Sequence, residues 1–132
     1  MPDATPSCRL YGLNQCDQVR KAKRWLQAEQ IEFEMIDFKK QSFQPEHIHH
    51  WLESLGAETL INPASKAFKA LSEQERKALL NQPTAELAHT LYATPTLLKR
   101  PILETAHGIV LRYQPERFAA LLAHSDKQIQ TP

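Results

Sequence analysis

Cysteine is scarce in this chain: Cys8 and Cys16 are its whole supply. Cys8 is expected near the start of a first strand and Cys16 beyond its far end. An extended chain advances about 3.3 Å per residue, which sets the pair too far apart for a disulfide. Cys8 therefore reads as a packed strand residue. Val19, not a cysteine, stands three residues after Cys16, so an internal dithiol–disulfide couple is excluded there. An excess of one charge is also missing. A formal net charge of +1 gives no general case for nucleic acid or for a membrane surface. No apolar run approaches the ~20 residues of a membrane span. Residues 1–7 have neither the basic nor the apolar segment of a secretory leader, so a cytoplasmic location is the expectation. His47, His49 and His50 cluster, but no cysteine or carboxylate pattern completes the converging ligand set that a metal needs. They read as a solvated helix face, and no metal is expected.

What is present is a chain of 132 residues with an ordinary hydrophobic share of 42%, enough for one domain around a single core. The stretch from Arg9 to Leu26 organises the rest. Leu10 and Tyr11 suit a strand over residues 8–12, and Gly12 and Asn14 are turn residues. Val19, Ala22, Trp25 and Leu26 then recur at helical spacing, which predicts a helix over about 16–30. Cys16 falls at the seam. The first turn of a helix leaves backbone N–H groups without partners, and their partial positive charge favours an anion. A thiol placed there ionises more readily, and the thiolate is the nucleophile. Arg20, Lys21, Lys23 and Arg24 add positive field, while Asp17 opposes it. The alternative for Cys16 is a small buried apolar residue. The turn chemistry before it and the helix after it favour the reactive reading.

Ile31 to Phe38 is rich in strand formers and reads as a second strand, which completes a right-handed βαβ unit with parallel pairing. Gln41 to Gln44 turns the chain. Pro45 and Glu46 suit the start of a helix whose buried face is Ile48, Trp51, Leu52 and Leu55 and which Gly56 ends. Residues 57–70 are less regular. Ser72 and Glu75 form a capping box for a helix to about Asn81, and Pro83-Thr84 restarts another to about Ala93. Residues 42–93 thus form a helical insertion. Ile102–Thr105 and Ile109–Tyr113 read as an antiparallel hairpin, and Pro115 begins a final helix with Phe118, Leu121 and Leu122 inward. Residues 124–132 read as a loose tail.

Tyr11-Gly12-Leu13-Asn14-Gln15-Cys16-Asp17, with Lys21-Ala22 and Trp25-Leu26 after it, resembles the opening of the ArsC family and most nearly its YffB branch. Leu98-Lys99-Arg100-Pro101-Ile102-Leu103 resembles that family's second signature. The resemblance covers about residues 8–122. It implies a thioredoxin-like α/β fold, a mixed four-stranded sheet in the order βαβ…ββα, as one domain carrying the insertion. It further implies that Cys16 is the nucleophile, that Arg100 lies beside it as the holder of an anion, and that Pro101 is cis. Asn14, Gln15 and Lys66 complete the expected substrate- or glutathione-binding set. Of the three arginines that surround the oxyanion in arsenate reductases of the family, only Arg100 has a clear counterpart. Asn62 and Ala64 stand where another is expected, with Lys66 as a substitute point charge, and Ile109 and Val110 stand near the third, with Arg112 close by.

The expected activity is accordingly a glutathione-linked thiol oxidoreductase, with arsenate reduction as a variant of the same chemistry. No bound cofactor is expected; glutathione is the thiol co-substrate, glutaredoxin a further partner, and a small oxyanion or disulfide the substrate. No membrane and no direct nucleic-acid contact are expected. The alternative is an Spx-like regulator that grips RNA polymerase without catalysis; its Cys-x-x-Cys switch is absent here.

Overall fold

The structure, a computed structural model, describes residues 8–40 and 43–130, with side chains from 124 onward left aside. The expected lead-in, two residues of the expected turn at 41–42 and the last two residues lie outside the described residues. The chain divides into two compact units, residues up to Lys40 with those from Arg100 onward, and Gln41–Lys99.

The first unit is a four-stranded mixed sheet with a helix from each half of the chain. Its elements are β1 (Arg9–Gly12), α1 (Asp17–Ala28), β2 (Glu34–Asp37), β3 (Ile102–Thr105), β4 (Gly108–Leu111) and the last helix, α7 (Pro115–Gln130). The strand order is β2-β1-β3-β4. β1 runs parallel to β2 and antiparallel to β3, and β3 and β4 form the antiparallel hairpin. This is the βαβ…ββα order that the sequence pattern predicts and the thioredoxin-like sheet that the family resemblance implies.

On one face of this sheet Cys8, Leu10 and Leu103 meet Val19, Ala22 and Leu26 of α1 and Phe118 and Leu122 of α7. Trp25 and Tyr113 close over the Phe118 ring edge to face, each with ring centres 5.7 Å away. Each large side chain buried here is worth about 1.5–3 kcal/mol relative to exposure. Leu10 pairs across the sheet with Met35 and Leu103, so strand alternation sends Arg9, Tyr11, Glu34 and Glu104 to the opposite face.

Four boundaries differ from the sequence reading, each for a local reason. α1 ends at Ala28 because Gln30 turns left-handed, φ 61°, and Ile31 N–H reaches back to the Leu26 carbonyl. β2 therefore starts only at Glu34. β4 stops at Leu111, because Arg112 takes φ 69° and leaves the strand. The final helix continues to Gln130, correcting the expected loose tail over 124–130. No proline or glycine interrupts Ala123–Gln130, and alanine, lysine and glutamine there are good helix formers.

The second unit is helical: α2 (Pro45–Leu55), α3 (Ala57–Leu60), α4 (Lys66–Lys69), α5 (Glu73–Leu80) and α6 (Thr84–Ala93), closed by a 3-10 turn at Pro95–Leu97. α2 packs on α6, and Ile48 and Trp51 of the one and Leu87 and Leu91 of the other are buried. The expected capping box is formed, with Ser72 Oγ accepting from Glu75 N–H at 3.1 Å and Glu75 Oε1 from Ser72 N–H at 2.7 Å. This unit outruns the expected 42–93 insertion because the chain after the 3-10 turn pairs back. Leu98 bridges Ile61, Asn62 N–H donates to the Leu97 carbonyl, and Lys99 N–H donates to the Leu60 carbonyl.

Candidate active site

Strand polarity decides which loops meet. Gly12 is the last residue of β1 and pairs with Asp37, the last residue of parallel β2. β3 runs the other way, so its first residue, Ile102, faces Tyr11. β4 reverses again, and its last residue, Leu111, faces Ile102. The Cys16 loop, the segment after Asp37, the Arg100-Pro101 pair and Arg112 are therefore gathered at one end of the sheet. The Arg100–Pro101 bond is cis, as the resemblance implied. Arg112 N–H donates to the Pro101 carbonyl at 2.7 Å, which ties the end of the hairpin to this proline.

Gly12 is what lets the loop leave so close to α1. A Cβ on it would lie 2.6 Å from Val19 Cγ2 and 3.8 Å from Pro101 Cα. Its place is thus in the strand, reserved by close approach; the turn begins one residue later. Cys16 is the N-cap residue of α1, extended at φ −77°, ψ 132°. Its N–H closes a turn onto the Leu13 carbonyl and its carbonyl accepts from Arg20 N–H. No hydrogen bond joins its side chain to the first turn, so the sulfur meets the helix only through the field of the open N–H groups. The residue is partly exposed, between the exposed side chains of Asn14, Gln15 and Asp17. Cys8 contrasts with it: 2% exposed, in the sheet's core, with its thiol pushed up to about 11 by burial. Both cysteines are free.

Two side chains that the sequence reading left out of the site hold the loop in place. Asp37 Oδ2 accepts from Asn14 N–H at 3.2 Å, and its Oδ1 accepts from Lys39 N–H at 2.8 Å. Bonds of this charge-assisted kind contribute about 1.5–3 kcal/mol each. The only hint in the sequence was a carboxylate among the apolar residues Met35, Ile36 and Phe38. Arg20 donates from Nη2 to the Gln15 carbonyl at 3.2 Å and from Nη1 approaches Asp17 at 3.5 Å. That exposed pair adds little stability, but it offsets the Asp17 charge at the mouth of α1.

Arg100 arrives on the same end with the cis bond, and among the described residues its buried Nη1 has no hydrogen-bond partner. A buried donor left unmade costs about 1–3 kcal/mol, more when charged, and a carboxylate or oxyanion recovers that cost. The structure thus brings together Asn14, Gln15, Cys16, Arg100 and Pro101. Lys66 belongs to the other unit, where it is the exposed first residue of α4 behind the Ser65 cap. Asn62 is committed there to its own turn, its Oδ1 accepting from Ala64 N–H at 3.0 Å. Among the described residues no three His, Cys, Asp or Glu side chains converge as a metal ion requires. His47 has a local use, its Nδ1 accepting from Gln44 N–H at 3.1 Å while the ring stacks on Phe43. Among the described residues no helix is long and apolar enough to cross a membrane.

Comparison with known proteins places these features. The sequence model of the ArsC family matches residues 11–121. A solved YffB protein is 29% identical, covers 87% of this chain and 98% of its own, and superposes with a TM-score of 0.74. An arsenate reductase (ArsC) related protein from Brucella melitensis is 28% identical over 91% of this chain and 97% of its own, with a TM-score of 0.68. The global transcriptional regulator Spx of Lactiplantibacillus plantarum is 28% identical over 92% of this chain and 90% of its own.

Proposed function

The chain belongs to the ArsC family, and from that premise we propose that it is a cytoplasmic, glutathione-dependent thiol oxidoreductase with Cys16 as nucleophile. The observation that carries the reading is that a partly exposed N-cap cysteine and Arg100, whose buried Nη1 lacks an acceptor among the described residues, lie at one end of the sheet. In the first step the Cys16 thiolate attacks the glutathionyl sulfur of a mixed disulfide between glutathione and a substrate thiol. The old S–S bond breaks, a Cys16–glutathione disulfide forms, and the other half leaves as a thiolate. Cys16 is oxidised and the departing sulfur reduced. In the second step another glutathione thiolate attacks the glutathionyl sulfur, which restores Cys16 and yields oxidised glutathione.

The second thiol has to come from outside. Cys8 is shut in the core and its thiol stays protonated at neutral pH. Glutathione supplies that thiol in a reducing compartment, and glutaredoxin is the protein that would exchange with the adduct. Arg100 holds the anionic end of the substrate by its guanidinium fork, and Asn14 and Gln15 offer amide groups beside the sulfur. With Arg100 as the one clear counterpart of the three arginines that arsenate reductases of the family use, a glutathione mixed disulfide suits this site better than arsenate.

The test is intact-mass measurement after treatment with glutathione disulfide. One glutathione adduct should appear on Cys16, none on Cys8, and none in Cys16→Ser; Arg100→Ala should slow its formation about tenfold or more. An adduct on Cys8 with Cys16 spared would end the proposal. The similarity to Spx supports a second reading, a regulator that contacts RNA polymerase and does not use the thiol. Co-purification with polymerase that survives Cys16→Ser would favour it.

A further inference from the structure

Beside the Cys16 loop lies an open pocket of about 460 Å³ lined by Leu13, Asn14, Gln15, Asp37, Lys39 and Lys40. That size suits part of a peptide-sized ligand, being far smaller than a protein interface. Its walls are the loop that carries the sulfur and the segment leaving β2, and Asp37 locks the two together through Asn14 N–H and Lys39 N–H. Both Asp37 oxygens are engaged by backbone, which leaves the lysine ammoniums as the pocket's open charges. Lys39 and Lys40 are exposed, and among the described residues neither is ion-paired. Two compact cations, two side-chain amides and one leucine make a receptor for a short polar chain ending in a carboxylate.

We infer that this pocket is the subsite for a terminal carboxylate of the peptide thiol that reacts at Cys16, with Lys39 and Lys40 as the specificity-determining charges. It rests on the glutathione-linked reading of Cys16 and adds how the anionic thiol is told from a neutral one. Glutathione carries a carboxylate at each end and its sulfur in the middle. One end goes to the lysines and the other is left for Arg100, so that the sulfur is drawn to Cys16 from two sides. The lysines touch neither sulfur and take no part in the exchange itself. Their effect is on encounter and retention of the charged partner, as for exposed charges at the rim of an interface.

The experiment compares two oxidised probes on the full chain, glutathione disulfide and the uncharged 2-hydroxyethyl disulfide, by the rate of adduct formation on Cys16. Lys39→Ala/Lys40→Ala should slow the glutathione probe about five- to tenfold at low ionic strength and leave the neutral probe within about twofold. The difference should vanish near 0.5 M salt, where the screening length falls to about 4 Å, and Lys39→Arg/Lys40→Arg should retain wild-type discrimination. An unchanged rate with glutathione disulfide overturns the inference, and so does an equal loss with both probes, while the proposed function stands in either case. Failure of the wild-type protein to form a Cys16 adduct with either probe overturns the function and the subsite together.

Discussion

Alkylation of the folded protein at pH 7 should distinguish the two cysteines sharply. Burial pushes the Cys8 thiol up to about 11, so roughly 0.01% of it is thiolate at pH 7. A thiol at the ordinary value of about 8.5 is roughly 3% thiolate at the same pH, about 300-fold more. Access works in the same direction. Cys8 is 2% exposed beneath α1 and α7, and a reagent reaches it only when that packing opens. Cys16 is partly exposed at the mouth of α1. Burial works against Cys8 in both respects, so iodoacetamide should label Cys16 about 100-fold or more faster than Cys8. A quenched time course read by peptide mass spectrometry measures the ratio. Denaturant should bring the two rates together, because it removes both causes. Comparable labelling of the two cysteines in the folded state would refute the reasoning, and labelling of Cys8 first would invert it.

Stability should fall as the solution is made alkaline. Cys8 is raised to about 11 by burial, and Tyr11 to about 12 by burial and then by the Glu104 carboxylate. The folded state keeps protons that the unfolded chain releases, so this stability is complete below about pH 8.5 and is lost as pH climbs toward 11 for Cys8 and toward 12 for Tyr11. The slope reaches about 1.4 kcal/mol per pH unit for each group. Urea unfolding at successive pH values measures it, and Cys8→Ala should flatten the lower part of the curve; a flat wild-type profile refutes it. Gly12→Ala should cost about 1–3 kcal/mol in the same assay, since its Cβ would strike the stiff Val19 side chain; a neutral effect would show that β1 and α1 give way freely. Asp37→Ala should speed hydrogen exchange at Asn14 and Lys39 about tenfold or more while leaving exchange at Leu10 close to wild type. Uniform acceleration of exchange would mean that the carboxylate supports the whole fold rather than the loop.

Local chemistry already written in the chain accounts for much of the architecture. The alternation in the strands, the helical spacing of Val19, Ala22 and Leu26, the Ser72–Glu75 cap and the short link between β3 and β4 are all short-range signals, and they place the elements in their observed order. The same kind of signal put Cys16 at a helix start, because strand, turn and helix are contiguous there. The distinction between the two cysteines was legible in outline too, since Cys8 reads as a packed strand residue and Cys16 as a helix-start residue.

Long-range features were beyond that reach. The Asp37 carboxylate serves an N–H on Asn14, 23 residues away in sequence, and no local pattern announces such a bond. Gly12 looked like a turn residue, and only the approach of Val19 reveals the crowding that excludes a side chain. The return of Leu98 to Ile61 extended the helical unit beyond the segment its periodicity marked. Sequence determined the elements, the order of the strands' residues and the seat of Cys16 on α1. Tertiary structure decided which loop ends share one edge of the sheet, because strand direction and pairing are contacts between distant segments, and a chain read residue by residue contains no distances.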